Sequence, residues 1–448
     1  MATGSTDTKK LERSLSLTQA TAINMIDMVG IGPFVTLSFI VGAMQGPACI
    51  LAWLLGAFLA YMDGMVWAEL GAKWPEAGGS YVFLQKLFGH KRWGKMLPFL
   101  FVWQTTIQAP LVIASGAIGF SAYLTYLVPL TAIAQKAVSG AMVLLVVAML
   151  YRDIKSIGKL SVVLWLITGG TIIWLVLSSI GHFSAAQAFD YTGGLNLSTL
   201  FFVALGQASL KAVYSYLGYY NVCHLGAEIK NPEVNIPRSM FISITGIAVL
   251  YLCMQVAVLG VLPWKQIADS PFVVSTYFET IYNVQVARVA TVLILAIAMS
   301  SLFAATLGYS RIPYAAALNG DFFPVFAKVH KRLHFPHVSL LAIGGLAFVF
   351  SLLFKLGEVI TAIITMRILV QFIMQAVGLI IWHREKPNDI RPYKMPLFPL
   401  PAILSIIIWL FILVSSGWHF ISIALGIIAM GVVLYFVKER AKASISGE

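Results

Sequence analysis

The sequence predicts an all-α membrane protein of twelve transmembrane helices, arranged as a five-plus-five inverted repeat with broken helices one and six and two appended helices. Three observations carry this expectation. The 448 residues are 59% hydrophobic and 11% charged, with a mean hydropathy of +0.86. A soluble protein of this size would lack the charge to cover its surface. Apolar stretches of the roughly 20 residues needed to span a bilayer recur along the whole chain. Two of them, opening the two halves, are interrupted in their middles.

The spans read as 15–44, 47–70, 96–127, 133–151, 157–181, 198–228, 237–262, 285–312, 338–354, 356–383, 398–416 and 419–438. A tail at 1–14 precedes the first repeat, 15–181. The second repeat, 198–383, follows, then the appended helices at 398–438 and a tail at 439–448. Five spans is an odd number, so the second half enters the membrane from the opposite side. No soluble domain is expected. The longer connections are 71–95, 313–337 and 384–397.

Segment one contains INMIDMVGIGPFVTLSF, with Gly30, Gly32 and Pro33 at its centre. Segment six contains LKAVYSYLGYYNVCHLG, with Gly218 among polar aromatics. Unpaired backbone in hydrocarbon costs several kcal/mol per group, so such interruptions persist only where they line a cavity. Matched interruptions in two repeats are the strongest sequence pointer to a transporter's substrate site. A break frees N–H groups at one new terminus and C=O groups at the other, with partial positive and negative charge respectively. A carboxylate suits the first and an ammonium the second. Gly30 and Gly32 allow close approach of a ligand, and Pro33 suits the first turn of the restarting helix.

The net charge of +12 is explained by topology. Of 30 Lys and Arg, only Lys136, Lys265, Arg288 and Lys355 fall on one side, and Lys211 and Arg367 lie within spans; the rest collect on the side of the N-terminal tail. This distribution places both termini in the cytoplasm and removes any need for a nucleic-acid partner. Nothing resembles a cleavable signal. The expected location is the inner (plasma) membrane, as a multi-pass protein in the lipid bilayer. Cys49, Cys223 and Cys253 lie in or beside apolar stretches and form no disulfide or metal pattern. No phosphate loop, metal-spaced cluster or nucleophile–base pair appears, so neither an enzyme nor a cofactor is expected.

Several stretches are similar to a known group. GIGPF at 30–34, AELGAKWPEAGGSYVFLQKLFG at 68–89, AEIKNPEVNIPRS at 227–239, SRIPYAAALNGDFFPVFAKVH at 310–330 and RPYKMPLFP at 391–399 resemble the amino acid–polyamine–organocation superfamily, and within it the L-type amino acid transporter branch. The resemblance implies five plus five inverted-repeat helices, alternating access, and exchange of one amino acid for another. It implies that the amides of Gly30, Ile31 and Gly32 take the substrate carboxylate. It implies that Tyr214 closes over the substrate from outside and that carbonyls of Tyr216, Leu217 and Gly218 meet the amine. The chain departs from the pattern at Ile31, where relatives carry Ser or Thr, and at Pro33, which removes an N–H donor. Many relatives carry a lysine in segment five where this chain has Thr168. That place is left to sodium, to a proton-linked network, or to nothing. Ser300 and Ser301 would complete an oxygen site for sodium with Thr168, or act as helix–helix contacts. A disulfide-linked subunit is not expected, because the loop after segment three has no cysteine.

Buried ionisable groups are functional candidates by default. Asp27 is read as a structural partner of Lys211, as a proton or ion carrier, or as a substrate contact. Arg367 is read as a helix–helix tie or as an anchor for an acidic substrate group. Asp63 is read as paired. Glu69 and Glu228, near Lys73, Arg238 and Arg311, form either an inner gate or a solvated interface. Tyr214 and Tyr216 are expected to line the site, ahead of Tyr219 and Tyr220, and His224 to pack. The sequence thus predicts a sodium-independent exchanger or facilitator for neutral amino acids. A proton-coupled amino acid or polyamine symporter is the alternative, and a membrane sensor or channel is the reading from another class.

Overall fold

The computed structural model describes residues 13–91, 94–151, 157–191, 197–330 and 335–446. The side chains of 157–164 and 441–446 are outside that description, as are Lys9, Lys10, Arg92, Arg152, Lys155, Lys331 and Arg332 of the charge pattern. Helices run α1 (Leu17–Met28), α2 (Gly32–Met44), α3 (Cys49–Lys73), α4 (Ser80–Phe88), α5 (Met96–Leu127), α6 (Ala132–Leu150), α7 (Ile157–Ser178), α8 (Ala185–Ala188), α9 (Thr199–Tyr216) and α10 (Asn221–His224). They continue as α11 (Pro232–Val261), α12 (Trp264–Asp269), α13 (Val273–Ile281), α14 (Val284–Tyr309), α15 (Arg311–Leu318), α16 (His337–Leu353), α17 (Leu356–Arg367), α18 (Met374–Glu385), α19 (Leu400–Ser415) and α20 (Trp418–Ser446). No strand occurs among the described residues; two isolated bridges join Leu15 to Ile229 and Ala77 to Leu225.

The protein is an all-α membrane protein, and each of the twelve apolar stretches coincides with a helix or an interrupted helix. Among the described residues, seven helices are long and apolar enough to cross a bilayer, and α1 with α2 makes an eighth, bent by 47°. Part of α7, together with α16 and α19, supplies shorter apolar helices. Segment six is the interrupted remainder.

Two expectations are refined. Beyond its break, segment six restarts only as the short α10 and a 3-10 turn at Gly226–Glu228. A full half-helix has no room, because Asn231 adopts φ +44° and Pro232 opens α11. The segment's end is held by other chain instead: Gly78 N donates to His224 O at 3.1 Å, and Leu15 N to Glu228 O at 3.0 Å. Segment ten is not a continuous α-helix. A π-helical stretch, Ile368–Ile373, separates α17 from α18, and such bulges gather at functional sites.

Packing sorts the helices into two groups. The interrupted helices lie with α3 and α11: α1 packs on α11, α2 on α9, and α3 on both α9 and α11. Trp53 Nε1 donates to Gln255 Oε1 at 2.8 Å between α3 and α11. The other group is built on α5, which packs against α6, α14, α16 and α17. The cavity described below lies where the groups meet.

The charged connections converge on one face. Lys73 Nζ reaches Asp389 Oδ1 at 2.6 Å and the carbonyl of Ile390 at 2.7 Å. This ammonium holds the Asp389 carboxyl below the usual carboxylate range. Lys91 pairs with Glu385 at 2.8 Å, and the Tyr81 hydroxyl donates to Asp321. Connections 71–95, 313–337 and 384–397 therefore share one surface.

Asp63 is paired, as expected. Its fully buried carboxylate accepts from the Tyr219 hydroxyl at 2.5 Å and from Trp409 Nε1 at 3.3 Å. Removing a donor from a buried acceptor costs about 1–3 kcal/mol. Tyr219→Phe is therefore expected to lower stability by about that amount, read as reduced thermal stability of the detergent-purified protein. An unchanged melting curve would show that the contact contributes nothing.

Candidate functional site

The two interruptions touch. Gly218 has φ +119°, and a Cβ there would sit 2.8 Å from the backbone of Asp27 and Met28. Only glycine allows this approach without strain. Around the contact lies a cavity of about 70 Å³, lined by Asp27, Gly30, Ile31 and Gly32 from segment one and by Tyr214, Leu217, Gly218 and Tyr220 from segment six. Val112 and Gly116 of α5, Ser301, Leu302, Ala305 and Tyr309 of α14, and Ile363 and Arg367 of α17 complete it. One water needs about 10–15 Å³ by this measure, so the space holds roughly five waters, comparable with the heavy atoms of a small amino acid.

The backbone at the contact is left open in complementary fashion. Among the described residues, the N–H groups of Gly30, Ile31 and Gly32 have no backbone acceptor. The first helical bonds of α2 are donated by Phe34 and Val35 to Ile31 O, at 3.2 and 3.3 Å. On the other strand of chain, Leu217 N is satisfied by Val213 O at 3.0 Å, while the carbonyls of Tyr216 and Leu217 receive no backbone donor. Among the described residues, the free N–H groups of Gly30, Ile31 and Gly32 and the free carbonyl of Leu217 thus belong to residues lining one cavity.

Other groups hold the breaks in place. Asn24, fully buried in α1, accepts from Val222 N at 2.8 Å and donates to Ser243 Oγ at 3.4 Å. It gives α10 the acceptor that its own N-terminus lacks. The Tyr251 hydroxyl of α11 donates to Met28 O at 2.9 Å and lies 3.2 Å from Ser215 O, one carbonyl from each break. Sequence reasoning missed both residues. Asn24 carried a signal, a carboxamide in an apolar stretch beside a break; Tyr251 in α11 carried none.

The sequence matches the amino acid permease family over residues 15–438, nearly the whole chain. The chain belongs to this family. It is similar to the branched-chain amino acid permease of Bacillus subtilis, 22% identical with 98% of this chain and 95% of the relative covered. It is similar to the serine/threonine exchanger of Bacillus subtilis, at 24% identity with 98% and 100% covered. It is also similar to human large neutral amino acids transporter small subunit 2, at 25% identity with 95% and 80% covered. The permease is therefore a multi-pass membrane transporter of the amino acid–polyamine–organocation superfamily, with small-molecule amino acid substrates, and not an enzyme.

Within the permease, most of the anticipated site residues meet at the cavity, but not all. Gly30, Ile31, Gly32, Tyr214, Leu217 and Gly218 line it. Tyr214 lies over Gly32, 3.1 Å from where a Cβ would stand, and its hydroxyl is 2.8 Å from Ser115 Oγ. The Tyr216 ring is not part of the lining: it is fully buried between Trp53 and Tyr251, because successive residues of a helix point about 100° apart. Tyr220, ranked behind it, lines the cavity instead.

Lys211 is not the partner of Asp27. Its ammonium donates to Gly357 O and Thr361 Oγ1, both at 2.6 Å, and lies 5.8 Å from the Phe39 ring centre. It lies in α9 before the break and contacts α17, whereas Asp27 ends α1. Asp27 is exposed to the cavity, with no hydrogen bond or ion pair among the described residues. Thr168 is buried, and no described hydrogen bond links it to Ser300 or Ser301. The Ser300 hydroxyl donates to Ala296 O at 2.8 Å, and Ser301 stands against Gly30. Arg367 is both a tie and a lining group: it donates to Tyr220 and, at 2.8 Å, to Tyr309. At the charged face, Glu69 is bound by His383 at 2.5 Å and by Met395 N at 2.9 Å, not by Lys73. Arg311 donates to Leu307 O at 2.6 Å.

The glycine environments give a test. A Cβ on Gly30 would sit 2.4 Å from Ser301 Oγ, a removable atom. Gly30→Ala is expected to lower amino acid uptake, and adding Ser301→Ala to recover part of it. Gly218→Ala meets backbone in a strained conformation that costs about 1–3 kcal/mol, and no side-chain change nearby should restore it. Uptake in proteoliposomes containing equal amounts of protein decides between these outcomes.

Proposed function

We propose that this permease moves amino acids by alternating access, as a sodium-independent exchanger or facilitator of neutral amino acids. The reading rests on one observation: residues 30–32, whose N–H groups lack a backbone acceptor, and Leu217, whose carbonyl lacks a backbone donor, line one cavity among the described residues. A zwitterion satisfies both at once, its carboxylate at the start of α2 and its ammonium at the end of α9. Among the described residues the cavity carries one acid, Asp27, and one base, Arg367, so a ligand without net charge matches its balance. Ile31, Val112, Leu302 and Ile363 supply an apolar wall for the side chain. The names of the relatives include an exchanger and a neutral amino acid transporter, alongside an aspartate–proton symporter and a cationic amino acid transporter.

The same geometry supports the proposed mechanics. Tyr214, bonded to Ser115, covers the cavity on the α2 side, while Asp27 at the end of α1 is exposed. The two interrupted helices belong to one helical group and the α5 wall to the other, so rocking one group against the other would exchange these openings. Residues 15–181 and 198–383 are proposed as the inverted repeats, 398–438 as appended helices, and the charged face with both termini as cytoplasmic in the plasma membrane.

One observation favours a second mechanism. An unpaired, accessible carboxylate at the break is placed to carry a proton, making proton-coupled symport the alternative. Radiolabelled uptake into proteoliposomes separates the two. Exchange predicts uptake that needs unlabelled amino acid inside and ignores proton and sodium gradients. Uptake into empty vesicles that grows with an inward proton gradient and vanishes in Asp27→Asn would replace exchange with symport.

A further inference from the structure

Within the cavity, three residues form a unit that the backbone grip does not use. Arg367, 7% exposed, ends α17 where the π-helical stretch begins. One terminal nitrogen donates to the Tyr220 hydroxyl and the other, at 2.8 Å, to the Tyr309 hydroxyl. The guanidinium also lies 5.8 and 5.9 Å from the two ring centres. All three residues line the cavity.

The hydrogen-bond inventory then fixes what the unit offers. Arg has donors and no acceptor, so each tyrosine oxygen must be the acceptor. Each phenol keeps its own proton, and among the described residues neither hydroxyl has a second partner. A cationic donor polarises these hydroxyls and strengthens what they donate in turn. Two O–H donors thus await an acceptor. Asp27, on the same cavity, offers carboxylate oxygens that nothing described occupies, and so awaits a donor.

We propose that Tyr220, Tyr309 and Arg367, together with Asp27 on the same cavity, form a side-chain subsite for small neutral amino acids whose side chains both accept and donate hydrogen bonds. Hydroxyl and carboxamide side chains have this chemistry. The inference rests on the transport reading above and narrows its substrate class. Acidic side chains are disfavoured by Asp27 and basic ones by Arg367. The volume of about 70 Å³ excludes large side chains unless the cavity opens. Purely aliphatic side chains leave the phenol protons and the carboxylate without partners, and buried unpaired groups discriminate strongly.

The test is binding of serine, threonine, asparagine, alanine, valine, aspartate and lysine to the detergent-purified chain, measured calorimetrically. Serine is expected to bind about 2- to 12-fold more tightly than alanine, the range of one ordinary hydrogen bond. The readout in Tyr309→Phe and Tyr220→Phe is the serine-to-alanine ratio, which is expected to fall towards one whatever happens to alanine itself. These variants keep the ring, and the wild-type ratio stands without them. Alanine binding as tightly as serine, or a ratio unchanged in both variants, overturns the subsite alone. Aspartate or lysine binding more tightly than serine also overturns it. Binding of none of the seven overturns the transport reading along with it.

Discussion

The constraint on which the structure depends is the cost of unpaired backbone inside a bilayer. An interrupted helix at that depth survives only if other groups satisfy its termini. Here the two interruptions are placed against each other through Gly218, whose missing Cβ allows contact with the backbone of Asp27 and Met28. Asn24 completes the start of α10, and Tyr251 binds one carbonyl of each break. What these residues leave unsatisfied, N–H groups on one side and carbonyls on the other, is the proposed ligand grip. On the proposed reading, structural support and substrate recognition are one set of hydrogen bonds, divided between protein and ligand.

The surroundings follow from that division. Groups that would compete for the grip are engaged elsewhere. Lys211 is held by Gly357 and Thr361, Asp63 by Tyr219 and Trp409, and Glu69 by His383 and the amide of Met395. Among the described residues, Asp27 and Arg367 alone bring opposite charges to the cavity, and Arg367 is fixed by two phenols. The π-helical stretch after Arg367 shifts the helical register at the point where this side chain meets the site.

The parts written in local chemistry were legible in the sequence. Twelve apolar stretches, the glycines of both breaks and the sidedness of Lys and Arg are all properties of contiguous residues, and the helices and the charged face follow them. What escaped depends on which way a residue faces once the bundle packs. Tyr216 and Tyr220 look equivalent in the sequence, yet one packs between Trp53 and Tyr251 and the other lines the cavity. The pairing of Asp27 with Lys211 looked natural because each precedes a break. In a pair of oppositely running helices, those positions lie on opposite sides of the contact. Tyr251 sits among apolar residues of α11 with no local mark of its role, since its partners are carbonyls more than 30 residues away in sequence.

The most direct test of the account is whether both ends of the amino acid backbone are required. Calorimetric binding to the purified chain should compare an amino acid that binds with its N-acetyl derivative, its carboxamide and its decarboxylated amine. The account predicts that each derivative loses binding by more than about tenfold, because hydrogen bonds to a charged group contribute about 1.5–3 kcal/mol. An N-acetyl derivative or decarboxylated amine that binds as tightly as the parent would show that the two breaks do not hold the substrate between them.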